Sequence, residues 1–159
     1  MKDDADSELK FQDYKRRTPL HYAVLSNKRP VVELILSIPK ANNELEVIET
    51  QDYADRAALH IAAINERVEA LDVLLTNGAN LDAIDEFKNT PLHLAAKYGS
   101  VGAAKMILIA RRDDVVIARY VNAKNYKGKT AVHLAHKNLY VLQLLIDAKG
   151  DEERCIVLL

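Results

Sequence analysis

The chain has 159 residues, a formal net charge of −1 and 49% apolar residues. That length suits one ordinary domain with a buried core, and the apolar content excludes wholesale disorder. Near-neutrality leaves no bulk field toward nucleic acid, and no apolar run approaches the roughly 18 residues of a membrane span. The N-terminus, MKDDADSELK, has no apolar segment of the kind a signal peptide requires. Cys155 is the only cysteine, so no internal disulfide can form. This fits a reducing compartment, and the expected location is the cytoplasm, with the nucleus as an alternative.

In chain order, residues 1–11 read as an acidic N-terminal extension. A two-helix pattern then recurs. The first unit, 12–51, carries TPLHYAVLSNK from Thr18. The second, 52–84, carries AALHIAAINER from Ala57. The third, 85–124, carries TPLHLAAKYGS from Thr90, and the fourth, 125–150, carries TAVHLAHKN from Thr130. Residues 151–159 remain as a C-terminal tail. The histidines at 21, 60, 93 and 133 lie 39, 33 and 40 residues apart.

Each tetrapeptide has a physical reading. Thr is expected to cap the first helix by accepting from a free backbone N–H, and Pro suits the first helical position, where its missing N–H is no loss. Ala57-Ala58 replaces Thr-Pro in the second unit, so that helix lacks the cap at a cost of about 1 kcal/mol. Alanine pairs (Ala62 and Ala63, Ala95 and Ala96) keep the first helix thin. The second helices carry the larger core residues: Val31, Val32, Leu34, Ile35 and Leu36, then Leu71, Val73, Leu74 and Leu75. Met106, Ile107, Leu108 and Ile109 follow, and Val141, Leu142, Leu144 and Leu145 close the series. Gly78 suits a left-handed helix terminus. No unit can bury its own apolar face, so stability comes from stacking. The fourth unit is short between its helices, and since terminal repeats are commonly atypical it is expected to lie at or near the end of the stack.

A unit of about 33 residues opening Thr-Pro-Leu-His resembles the ankyrin repeat, and the resemblance covers roughly Gln12 to Gly150. It implies an all-α ankyrin-repeat solenoid of stacked helix-turn-helix units with β-hairpin-like loops. It also implies that His21, His60, His93 and His133 bond to backbone near the neighbouring turn and stitch one repeat to the next. The first and third units are six or seven residues longer, through SIPKANNELEVIETQ and ARRDDVVIARYVNAK after their second helices. This long, normal, long order resembles the IκB group of Rel/NF-κB inhibitors. So do NTPLHLAAKYGSVGAAKMIL and VNAKNYKGKTAVHLA, with Asn125-Tyr126 before the hairpin turn. The resemblance implies a protein that grips a Rel-type dimer and masks its DNA-binding or nuclear-import surfaces. The degron pattern Asp-Ser-Gly-x-x-Ser is missing, since Asp6-Ser7 is followed by Glu8, and this is similar to short IκB-like proteins encoded by some viruses.

Ankyrin arrays bind through hairpin tips and the exposed side of the first helices. The repeat register puts Tyr14, Lys15, Arg17, Leu25 and Ser26 there in repeat one, and Tyr53, Ala54, Arg56, Ile64 and Asn65 in repeat two. Repeat three adds Glu86, Phe87, Asn89, Lys97 and Tyr98; repeat four adds Tyr126, Lys127, Lys129, Lys137 and Asn138. The expected partner-binding set is Tyr14, Lys15, Arg17, Tyr53, Arg56, Phe87, Asn89, Lys97, Tyr98, Tyr126, Lys127 and Lys129. Aromatic anchors beside cations suit a protein interface, and the expected partner surface is acidic or mixed, with apolar pockets. In the IκB group acidic repeats meet a basic import segment; Glu44, Glu46, Glu49, Asp113 and Asp114 are the candidates for that role here. Catalysis is not expected: no nucleophile elbow or phosphate-cradling loop occurs. No metal or cofactor is expected either, because histidines in separate repeats cannot share one zinc. The free protein is expected to be a monomer. Two further readings stand beside occlusion: an ankyrin scaffold or regulatory segment of a larger protein, and nucleic-acid contact through a basic concave face.

Overall fold

The computed structural model describes residues 8–38, 44–111 and 114–150. The acidic residues 1–7, the tail 151–159 with Cys155, and Asp113 lie outside the described residues. Helices come in antiparallel pairs: α1 (Pro19–Ser26) with α2 (Arg29–Ser37), then a short α3 (Glu44–Glu49). Next are α4 (Ala58–Ile64) with α5 (Val68–Thr76), α6 (Pro91–Tyr98) with α7 (Val101–Ala110), and α8 (Asp114–Val121). The last pair is α9 (Ala131–Leu134), continued by a 3₁₀ turn at Ala135–Lys137, and α10 (Leu139–Gly150). Inner helices α1, α4, α6 and α9 pack in sequence, and outer helices α2, α5, α7 and α10 form a parallel row behind them. This is the all-α solenoid that the repeat implied. The loops carry its hairpin-like part: Asp13, Asp52, Asp85 and Asn125 each donate a backbone N–H to the carbonyl four residues on, at 2.9–3.0 Å.

The start of each inner helix is built around its histidine. His21, His60, His93 and His133 sit at the third helical position, where Nδ1 accepts the backbone N–H of the cap residue at 3.1–3.2 Å. The threonine hydroxyl lies 2.7–2.9 Å from that same nitrogen in three repeats. Here the expectation needs correcting: only Thr90 accepts from a first-turn N–H, that of His93 at 3.4 Å. Thr18 and Thr130 spend the hydroxyl on the imidazole instead. The Ala57 helix keeps the imidazole bond and lacks only the hydroxyl.

Left-handed residues end the helices. Gly78 closes α5 with φ 81° and Gly99 closes α6 with φ 74°. A side chain at Gly99 would also meet Asn138, whose Nδ2 donates to the Gly99 carbonyl at 3.2 Å.

The alanines do what their size suggests. Ala62, Ala63, Ala95, Ala96, Ala103 and Ala104 are all buried, so neighbouring helices approach closely. Val32, Leu36, Leu71, Leu74, Ile107, Leu108, Val141 and Leu145 fill the shared interior. Two of the expected core residues are on the surface: Val31 is 39% and Leu34 63% exposed. Their register partners in repeat two, Ala70 and Val73, are buried because that repeat has neighbours on both sides. Repeat one has no described repeat on the corresponding side.

The two long insertions fold as α3 and α8. Val47 and Ile48 of α3, and Ile117, Tyr120 and Val121 of α8, are buried. Both segments reach the same short loop of repeat two. Glu49 accepts the Asn80 N–H at 2.8 Å, and Tyr120 donates its hydroxyl to the Leu81 carbonyl at 2.7 Å. Arg111 pairs with Asp82 and lies over the Tyr120 ring, 4.6 Å from its centroid.

Candidate partner-binding face

Every hairpin tip is organised by one short side chain. Asp13 Oδ1 accepts the backbone N–H groups of Lys15 and Arg17, both at 2.8 Å. Asp52 does the same for Ala54 and Arg56, Asp85 for Phe87 and Asn89, and Asn125 for Lys127 and Lys129, at 2.7–3.1 Å. A short polar side chain that bonds its own backbone two residues on is a turn-former, which is why Asp or Asn recurs there. The tips are then joined side by side: Tyr53 N–H to Lys15 O at 2.9 Å, Glu86 N–H to Ala54 O at 3.1 Å, Tyr126 N–H to Phe87 O at 3.0 Å.

In the first three tips the side chain four positions after the organiser folds back on it. Arg17 donates to Asp13 Oδ2 at 3.0 and 3.2 Å, and Arg56 to Asp52 Oδ2 at 2.6 and 3.0 Å. The Tyr22 hydroxyl donates to the same Asp13 oxygen at 2.6 Å and, with Arg17, holds this carboxyl well below the usual range. At Asp52 burial alone would raise the carboxyl, but bonds from Arg56 and the backbone outweigh it and the net direction is down. Asn89 takes the same position in repeat three. Its amide donates to Asp85 Oδ2 at 3.0 Å and accepts from Asn125 at 2.9 Å. Asn89 is buried, which corrects its place among the displayed contact residues: its side chain builds the tip and only borders the depression toward repeat four.

The aromatic members of the expected set are displayed. Tyr14, Tyr53, Phe87, Tyr98 and Tyr126 are all exposed, Tyr14 at 87%. Four have a cation over the ring: Lys15 on Tyr14 at 5.4 Å, Arg56 on Tyr53 at 5.8 Å, Lys97 on Tyr98 at 5.3 Å and Lys127 on Tyr126 at 5.5 Å. Such separations lie within the range of cation–π attraction.

Two depressions bring the set together. One, of about 230 Å³, lies between repeats one and two, with Leu25, Ile61 and Ile64 under Arg17 and Arg56, and His21 and Asn65 at its side. The other, of about 280 Å³, lies between repeats three and four. Phe87 and Tyr126, 5.6 Å apart, line it with Leu134, Lys97, Lys127, Lys129, Asn89 and Asn125. Tyr14, Lys15, Tyr53 and Tyr98 stand outside both.

On the insertion edge less acid is free than the sequence suggests. Glu46 pairs with Lys10 at 2.7 Å and Glu49 is bonded to Asn80. The side chains of Glu44 and Asp114 lie outside the described residues.

The histidines link repeats through their other nitrogen. Nε2 of His21 is 3.1 Å from Arg56 O, that of His60 3.2 Å from Asn89 O, and that of His93 3.2 Å from Lys129 O, with Ala123 O of its own repeat at 3.0 Å. A carbonyl can only accept, so Nε2 carries the proton; Nδ1 accepts the cap N–H and so carries none, and each ring is neutral. Burial pushes all three basicities down, against the smaller upward pull of the carbonyls. His133 differs: its ring is exposed, and Nε2 meets no partner among the described residues.

Stacked helix pairs, histidine links and a continuous row of protruding tips define a repeat protein. Residues 43–118 and 59–154 match the family profile "Ankyrin repeats (3 copies)", and residues 15–45 match "Ankyrin repeat". The chain belongs to the ankyrin-repeat family. It is 28% identical over 134 residues to the NF-kappa-B inhibitor alpha of Sus scrofa, covering 83% of this chain and 42% of that protein. With the nuclear factor NF-kappa-B p105 subunit of Rattus norvegicus it shares 29% over 142 residues, 88% of this chain and 14% of that one. An ankyrin repeat protein of fowlpox virus, FPV223, is 35% identical over 92 residues, 58% of this chain and 60% of its own length. The chain thus spans less than two thirds of each of these relatives. The likeness to the IκB group, first inferred from repeat spacing, is present in these relatives.

Proposed function

We propose that this protein regulates by occlusion: it grips a Rel-type transcription factor and covers the surfaces that factor needs for DNA binding or nuclear import. It acts as a non-catalytic binding module. The observation that carries the reading is the alignment with an NF-kappa-B inhibitor over 83% of the chain. The face supports it chemically, since exposed aromatic rings beside cations over apolar depressions are the composition of a protein contact surface. The contact set is Tyr14, Lys15, Arg17, Tyr53, Arg56, Phe87, Lys97, Tyr98, Tyr126, Lys127 and Lys129. Among the described residues no helix is long and apolar enough to cross a membrane.

The test is competition. A purified Rel dimer is bound to a fluorescent DNA duplex and the protein is titrated in. The expected result is loss of DNA-bound signal with a matching gain of protein–Rel complex on gel filtration. An unchanged signal well above micromolar concentration removes the reading.

A second reading, an interaction segment of a larger protein, is favoured by coverage, since the chain spans only 14% of the p105 subunit it matches. Sequencing the transcript past the codon for Leu159 decides it. A frame that continues into further domains supports this reading; a stop codon there removes it.

A further inference from the structure

The positive charge of the concave face is not evenly available. In repeats one and two the cation at the tip is held by its own carboxylate, Arg17 by Asp13 and Arg56 by Asp52. In repeat four the organiser is Asn125, which is neutral, so Lys129 has no carboxylate to fold back on. Lys97, Lys127 and Lys129 make no ion pair among the described residues, and all three border the same depression. Asp85 is near but buried, with both oxygens used inside its tip. Glu86 is exposed on the tip and is not among the lining residues. The amides of Asn89 and Asn125 are spent on each other and on the tips. What remains is three ammonium groups, which can only donate, above a floor of Phe87, Tyr126 and Leu134.

We propose that the depression between repeats three and four docks an acidic peptide segment of the partner, its carboxylates on Lys97, Lys127 and Lys129 and a flanking aromatic or aliphatic side chain on Phe87, Tyr126 and Leu134. Donors without acceptors demand an acceptor-rich, anionic ligand, and the apolar floor demands a side chain beside that charge. A nucleic-acid strand fits less well. Following a phosphate backbone takes a charged track over several contacts. Here the track is broken, because the tip arginines of repeats one and two, Arg17 and Arg56, are already paired with Asp13 and Asp52. The inference rests on the concave face being a partner surface, though not on the partner being a Rel factor.

The experiment uses the full chain and a fluorescein-labelled peptide of about eight residues, Glu and Asp around a central Phe, which reaches roughly 26 Å when extended. Anisotropy is read for the parent and for K127E/K129E, with K105E as a charge reversal on an exposed lysine outside the depression and outside the contact set. Binding that weakens at least tenfold in K127E/K129E, stays within twofold in K105E and fades with added salt supports the proposal. Three results overturn it: equal binding of the Gln/Asn counterpart peptide, equal loss in K105E, or tighter binding of a single-stranded oligonucleotide. Circular dichroism melts confirm that the variants fold. Peptide binding with no effect on the Rel–DNA complex removes only Rel occlusion; no peptide binding with that effect intact removes only this pocket.

Discussion

Lowering the pH from 7.5 to 5.5 should loosen the stack through its buried histidines. His21, His60 and His93 are neutral in the fold, with basicity pushed down by burial. In the unfolded chain a histidine takes a proton near pH 6.5. Below that value the unfolded state binds more protons, so stability falls as pH falls. It is fully present above about pH 6.5 and declines until the folded-state values are reached. A ring that stays neutral while its unfolded counterpart is protonated costs at most about 1.4 kcal/mol per pH unit, so three such rings together can cost up to about 4 kcal/mol per unit. Against a typical total of about 5–15 kcal/mol that is large. Other groups titrate lower: Asp13 and Asp52 are depressed and lose their contribution below about pH 4, while half-buried Glu49 is raised and works in the opposite direction. The assay is urea unfolding followed by circular dichroism at pH 7.5, 6.5 and 5.5. The midpoint should drop steadily, and H60Q should remove about a third of the drop. A midpoint that is flat or rises at pH 5.5 refutes the assignment of neutral linking rings.

Truncating Arg56 leaves Asp52 buried without its ion partner. R56A should therefore cost about 2–4 kcal/mol in urea unfolding, whereas Y53A should stay within roughly 0.5 kcal/mol. Equal effects would mean the pair is not structural. Y120F keeps the buried ring and deletes only the bond to Leu81. It should lower stability by about 1 kcal/mol in the same unfolding assay, and no change would show that the hydroxyl is equally well solvated when free.

The inner helices were legible because their start is written in a compact code, Thr-Pro-Leu-His, in which each residue has a local job. The displayed aromatics followed from register alone. Asn89 did not, because its burial depends on Asp85 four residues earlier. That spacing repeats as Asp13 to Arg17, Asp52 to Arg56 and Asn125 to Lys129 and is visible in the sequence once the tips are compared. The insertion helices were hidden for a different reason. ELEVIE is too short for a helical period to declare itself, and DVVIARYV is rich in β-branched residues, so packing decides its form. Exposure of Val31 and Leu34 was equally beyond the sequence, since it depends on which neighbours a repeat has rather than on its own residues.

The loop at residues 80–82 is occupied from two directions, by Glu49 on one side and by Arg111 and Tyr120 on the other. Repeat two therefore has no room for an addition like those its neighbours carry. The alternation of repeat lengths is a steric condition: lengthening the middle unit would evict one of its two wedges, and shortening either flanking unit would leave a hole where a wedge had been.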